Sequence, residues 1–98
     1  MPHGTVVDLL LAEGESESIG VVCYCSKVRI EFESLIDEIN IIVKVDNREV
    51  SRYTGYKFTY EYTMPLSTHK IEVTVTNPTG GKGRLTPVVG SIEANPPS

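Results

Sequence analysis

Apolar and polar residues alternate with a period of two along most of the chain. Val28, Ile30 and Phe32 are separated by Arg29 and Glu31, and Ile39, Ile41, Val43 and Val45 by Asn40, Ile42 and Lys44. Tyr56, Phe58, Tyr60 and Tyr62 alternate with Lys57, Thr59 and Glu61, and Ile71, Val73 and Val75 with Glu72 and Thr74. Successive strand side chains point to opposite faces, so each run predicts a strand with one dry and one wet face. β-branched and aromatic residues fill these runs, as a pleated surface favours. Residues 5–12 predict a further strand at a sheet edge, and residues 85–92 a last one, whose Pro87 marks an edge or a bulge.

Residues 18–26 break the simple pattern. Ile19, Val21, Cys23 and Cys25 share one face, but Val22 and Tyr24 make the other partly apolar. Unbroken continuation into Val28 and Phe32 would put both cysteines on the polar face by parity. A bulge at Ser26-Lys27 would return them to the core. Turn chemistry separates the runs at Glu13-Gly14-Glu15, Asp46-Asn47, Thr54-Gly55 and the loop from Asn77 to Gly83. Residues 34–38 fit one helical turn or a plain loop, and no amphipathic helix is evident. About seven short strands, spaced near ten residues, predict an all-β fold: an antiparallel two-sheet β-sandwich whose sheets share one core layer.

With 98 residues the chain holds one domain. We place it at residues 1–93, with a proline-rich tail or linker at 94–98. Charged residues are 22% and the net charge is −4, an ordinary globular balance that disfavours nucleic-acid binding. No apolar run is long enough for a membrane-spanning helix, and no secretory signal follows Met1. The chain is therefore expected to be intracellular, cut from a longer secreted protein, or part of a particle. It contains no Gln or Trp, and amide depletion is one trait of hyperthermophile proteins.

The stretch 38–50 runs as an alternating strand into Asp46-Asn47 and the short return Arg48-Glu49-Val50. Further on come Phe58-Thr59-Tyr60-Glu61-Tyr62, then Thr68-His69-Lys70-Ile71-Glu72-Val73-Thr74-Val75-Thr76-Asn77, then Gly80-Gly81. Together these resemble prokaryotic immunoglobulin-like domains, including bacterial Ig-like and polycystic-kidney-disease-type repeats, over about residues 38–86. The resemblance implies an Ig-like sandwich serving as a non-enzymatic spacer, adhesive or accessory module on a cell surface or in an extracellular assembly. It implies no catalytic residue and no cofactor.

Several residues are candidates for chemistry. The row Tyr56, Phe58, Tyr60 and Tyr62 reads as a core face, yet three hydroxyls are many for a dry interior. Tyr53, Tyr56 and Tyr62 are therefore candidate ligand-binding residues, stacking on sugar or peptide at the rim. Cys23 and Cys25 form a thiol pair whose Cα atoms in an extended strand lie ~6.6 Å apart. Because a disulfide there needs a sharp bend, they are expected as free, packed thiols, with a vicinal-type redox switch or an intermolecular disulfide as the alternative. Glu15, Glu17, Asp37 and Glu38 offer oxygens but lack the spacing of a dedicated Ca²⁺ loop. Gly80-Gly81-Lys82-Gly83-Arg84 lacks the phosphate-loop spacing. His69 starts a strand, and His3 is distant from it. The expected partners are a protein or a second copy, paired through residues 5–12 or the last strand, or else a polysaccharide. A viral or particle structural protein is a further alternative.

Overall fold

The computed structural model describes residues 3–78 and 83–96. The loop residues Gly80, Gly81 and Lys82 of the expected glycine-rich hairpin lie outside the described residues, as do Pro97 and Ser98 of the expected tail. Among the described residues six strands form: β1 (His3–Leu11), β2 (Ser16–Ser34), β3 (Ile39–Val45), β4 (Arg48–Gly55), β5 (Lys57–Thr76) and β6 (Thr86–Ala94). They make one antiparallel sheet in the order β1-β6-β2-β5-β3-β4. The expectation of about seven short strands is corrected to six. Residues 18–26 and 28–32 belong to one strand, as do 57–62 and 70–76, while Tyr56 falls in the bend before β5. Period-two alternation reports which face a residue occupies; it does not report where a strand stops.

Residues 34–38 form bends, not a helical turn. Ala94, which the sequence reading placed in the tail, closes β6 opposite Val28 of β2 and His3 of β1. The last strand is not an edge: β6 lies between β1 and β2. Pro87 is tolerated because the β6–β2 register begins one residue later, at Val88↔Ser34. Its carbonyl accepts from the Leu35 N–H (3.1 Å), so its missing donor falls where no ladder partner is needed.

β2 and β5 pair along nearly their whole length, with the register shift between Cys25 and Lys27. Of the two alternatives the parity argument left open, an unbroken strand and a break or bulge at Ser26-Lys27, the chain takes the bulge. It places Cys25 and Val28, three apart in sequence, both in the core. Asn95 clamps the bulge. The Ser26 N–H donates to Asn95 Oδ1 (3.1 Å), the Asn95 N–H to the Lys27 carbonyl (2.8 Å), and Asn95 Nδ2 to the Tyr24 carbonyl (3.3 Å). Among the described residues, β2 before the bulge pairs only with β5 residues 67–76; after it, β2 pairs with β5 residues 57–63 and also with β6. β3 joins β5 only over residues 71–76.

The sheet curls so that strands distant in its order meet at one end. Asn77, just after β5 and fully buried, donates from Nδ2 to the Leu11 carbonyl (3.0 Å) and to Thr86 Oγ1 (3.1 Å). Its backbone carbonyl accepts from the Gly14 N–H (2.6 Å). The Thr86 hydroxyl donates to Asp37 Oδ2 (2.5 Å), and Arg84 donates to Asp37 Oδ1 (2.7 Å). This polar chain closes the end of the core with its buried groups satisfied. Inside, Leu11, Ile30, Phe32, Ile41, Ile71, Val73 and Ile92 belong to one apolar cluster to which every strand but β4 contributes buried side chains. The β3–β4 hairpin turns through Asp46 and Asn47 with φ of 50° and 68°, between paired Val45 and Arg48. Positive φ at both central positions is the type I′ requirement, which Asp and Asn tolerate.

Candidate functional site

The aromatic row is ordered by the period of β5. Phe58 is buried, and Tyr60 and Tyr62 are half-buried against the core. Ring centroids are 6.0 Å apart for Phe58–Tyr60 and 6.2 Å for Tyr60–Tyr62, both stacked. Tyr53, from β4, extends the row through Phe58 at 5.1 Å. Its ring covers Gly55, whose φ of 155° and lack of a Cβ admit it; an added Cβ would strike the Tyr53 ring. Two hydroxyls find chain partners. Tyr60 donates to the Val50 carbonyl (3.2 Å), and Tyr53 accepts from the Lys57 N–H (3.3 Å). Burial pushes the Tyr60 hydroxyl pKa up.

The three tyrosines singled out from sequence do not converge. Tyr53 and Tyr62 sit at opposite ends of the stacked row. Tyr56 is 51% exposed at the β4–β5 junction and makes no ring contact with them. Of the three, Tyr62 lines a cleft of about 410 Å³.

That cleft lies between the β3–β4 turn and the middle of β5, and is lined by Val45, Arg48, Val50, Tyr62, Met64 and His69 among others. His69 is its titratable centre. Nδ1 is 2.7 Å from Asp46 Oδ2, and Nε2 is 2.6 Å from the Pro65 carbonyl. Both neighbours are acceptors, and only the imidazolium donates from both nitrogens. The hydrogen bond to Asp46, then that to Pro65, holds the His69 pKa above its ordinary value. The same pair holds Asp46 below the usual carboxylate range, chiefly through His69 and then through the Lys70 N–H (2.9 Å from Oδ1). The turn is thereby tied to β5, and neither ring nitrogen is left open towards the cleft.

Sequence reasoning missed this pair, because 23 positions separate Asp46 from His69. The signal was an Asp at a tight turn and a His expected at a strand start; β5 in fact runs through His69, and the register Val45↔Ile71 brings the two together.

Cys23 and Cys25 are joined by a disulfide with Cα atoms 5.5 Å apart, and no free cysteine is present. The expectation of two free thiols is thus corrected. The 5.5 Å separation is shorter than the ~6.6 Å of a fully extended strand, so the backbone between the two cysteines is contracted. The acidic candidates do not assemble. Asp37 is held by Arg84 and Thr86, while Glu15 Oε1 accepts from the Ala12 N–H (2.9 Å). Among the described residues, no three His, Cys, Asp or Glu side chains are grouped to hold a metal ion. Arg29 bridges Glu61 (2.8 Å) and Glu93 (3.3 Å), its cross-strand neighbours on β5 and β6. Among the described residues no helix is long and apolar enough to cross a membrane.

Neither a family model nor a curated protein matches the chain.

Proposed function

We propose that the chain is a non-enzymatic, Ig-like two-sheet β-sandwich module, serving as a structural, spacer or interaction unit of a surface or extracellular assembly. One observation carries the reading: the charged and hydrogen-bonding side chains tie strand to strand. Arg29 joins β5 to β6 across β2, His69 joins β5 to the β3–β4 turn, and Asn77 joins the end of β5 to β1 and β6. Polar groups occupied in this way are spent on architecture. The sandwich assignment is supported by the two long strands, which pair with each other throughout: β2 gains β6 after the bulge, and β5 carries β3 only over residues 71–76. It is also supported by the meeting of β5 with β1 and β6, which the sheet order keeps apart. The Cys23–Cys25 disulfide supports an oxidising compartment.

Protease shaving of intact source cells tests this. The account expects release of the peptide containing Cys23 and Cys25 from intact cells, with the disulfide formed. Recovery only from the cytosol, with both thiols reduced, contradicts it.

A second reading, polysaccharide binding, draws on the exposure of Tyr56 and the place of Tyr62 at the cleft. A glycan array separates the two: retention of a glycan that is lost in both Tyr56→Ala and Tyr62→Ala favours carbohydrate.

A further inference from the structure

Before its bulge, β2 hydrogen-bonds β5 on one side only; among the described residues no strand pairs with its other edge. The phase of that edge is set by Asn95, which takes the Tyr24 carbonyl and the Ser26 N–H. Strand alternation then turns the backbone N–H and C=O groups of Ser18, Gly20 and Val22 outward as well. Natural sheets guard such edges with charge, proline or very short strands. Other open edges here carry charge: Asp8 on β1, Arg48, Glu49 and Arg52 on β4, and Lys57 and Glu61 on the first half of β5. Residues 18–26 carry none.

Their outer face is apolar, with Val22 71% and Tyr24 67% exposed, and Gly20 has nothing within 4 Å of where a Cβ would lie. Alongside runs a groove of about 370 Å³, lined by Val22 and Tyr24 together with Gly4, Thr5, Ile92 and Ala94 among others, with no charged residue in its lining.

We infer that this edge is a self-pairing surface: the first half of β2 joins the same segment of a second copy in antiparallel fashion, continuing the sheet across a two-fold axis near Gly20. This deepens the reading of the chain as an interaction module by naming its partner and edge. Charge favours this partner and direction. Glu13, Glu15 and Glu17 precede the uncharged stretch, and Lys27, whose amine also lies 3.4 Å from Glu61 Oε1, follows it. Antiparallel pairing sets the acidic end of one copy against the Lys27 end of the other. Parallel pairing would stack like charges. The uncharged middle lets the segment meet itself without repulsion, and an isologous contact of this kind closes as a dimer.

Sedimentation equilibrium of the intact chain from low micromolar to millimolar concentration is the test. The wild type is expected to dimerise. Val22→Lys puts a charge on the exposed face of that edge without touching the core, and should weaken the dimer about tenfold or more. Val6→Lys, at an 85% exposed site on β1, should leave it unchanged. Amide hydrogen exchange gives a readout independent of any variant: the Gly20 and Val22 amides should gain protection as concentration rises. A wild type monomeric throughout, a Val22→Lys variant as dimeric as the wild type, or those amides equally unprotected at every concentration would overturn the inference. A monomeric result leaves the non-enzymatic module reading standing, because that reading is decided by the location and redox state of the native chain.

Discussion

Gly90 lies opposite Phe32 in the β6–β2 register, and the Phe32 ring occupies the space above it. A Cβ built on Gly90 would sit 2.5 Å from the Glu31 carbonyl oxygen and closer still to the Phe32 ring. Real Cβ atoms do not approach so near, and β6 is held by β1 on one side and β2 on the other, so neither neighbour yields freely. Overpacking of this kind costs ~1–3 kcal/mol, and contact with a backbone atom points to the upper end. The narrower unfolded ensemble of alanine returns ~0.4–1 kcal/mol. Gly90→Ala should therefore lose about 2 kcal/mol, which for a domain of this size lowers Tm by roughly 8–16 °C. Gly20 is the internal control, because nothing lies within 4 Å of its added Cβ. Gly20→Ala should be neutral or stabilising by up to ~1 kcal/mol. Urea melts of the two variants, and of Gly90→Ala combined with Phe32→Ala, complete the test. Removal of the ring should absorb at least ~1 kcal/mol of the Gly90→Ala cost as coupling energy. Equal effects at Gly20 and Gly90, or strict additivity with Phe32→Ala, would refute the packing argument.

Other outcomes follow from the same geometry. Ile41 is fully buried and Tyr56 half exposed, so Ile41→Ala should cost ~2–5 kcal/mol in denaturant melts while Tyr56→Ala stays within ~0.5 kcal/mol. A large loss at Tyr56 would mean that its ring is packed. His69 titrates above its unfolded value, so its stabilising contribution is complete below pH ~6.5 and is lost as pH rises through the folded pKa. Asp46, depressed, contributes above pH ~3.9 and loses its contribution as pH falls through its folded value. Melting curves of the wild type and of His69→Gln across this range should converge at high pH; a gap that widens on alkalinisation would contradict the imidazolium assignment. Thiol labelling of denatured, unreduced protein should add no adduct, and labelling after reduction two; two adducts without reduction would remove the disulfide.

Much of the strand content was legible because a curled sheet imposes one dry face on each strand. That face is visible in Val28-Ile30-Phe32, in Ile39-Ile41-Val43-Val45 and in Ile71-Val73-Val75. The bulge at Ser26 was legible for the same reason: only a parity break reconciles Cys25 with Val28. The tight turn at Asp46-Asn47 was legible from its turn residues; its type I′ form shows only in the positive φ of both. Connectivity was less legible. Alternation is blind to whether a strand continues through a bend, so β2 and β5 each read as two strands. Pro87 marked a missing donor without saying which side of the strand lacked it, and the structure places that side beyond the end of the β2 ladder. The His69–Asp46 clamp and the Asn77 bridge join residues distant in sequence, and no local pattern encodes such contacts. Of the candidate tyrosines, the row through Phe58, Tyr60 and Tyr62 was predictable from spacing. The swing of Tyr53 over Gly55 depends on a glycine two residues away whose role appears only in three dimensions.

The most direct test of the curled, single-core architecture is an NOE spectrum of the Asn77 side-chain amide. In a flat sheet with this strand order, β1 and β5 stand three strand spacings apart, ~14 Å. The folded arrangement instead places Asn77 Nδ2 3.0 Å from the Leu11 carbonyl oxygen and 3.1 Å from Thr86 Oγ1. Strong cross-peaks from its side-chain protons to Leu11, Ala12 and Thr86, with slow solvent exchange, are the predicted result. A freely exchanging amide with contacts only to its own strand would contradict it.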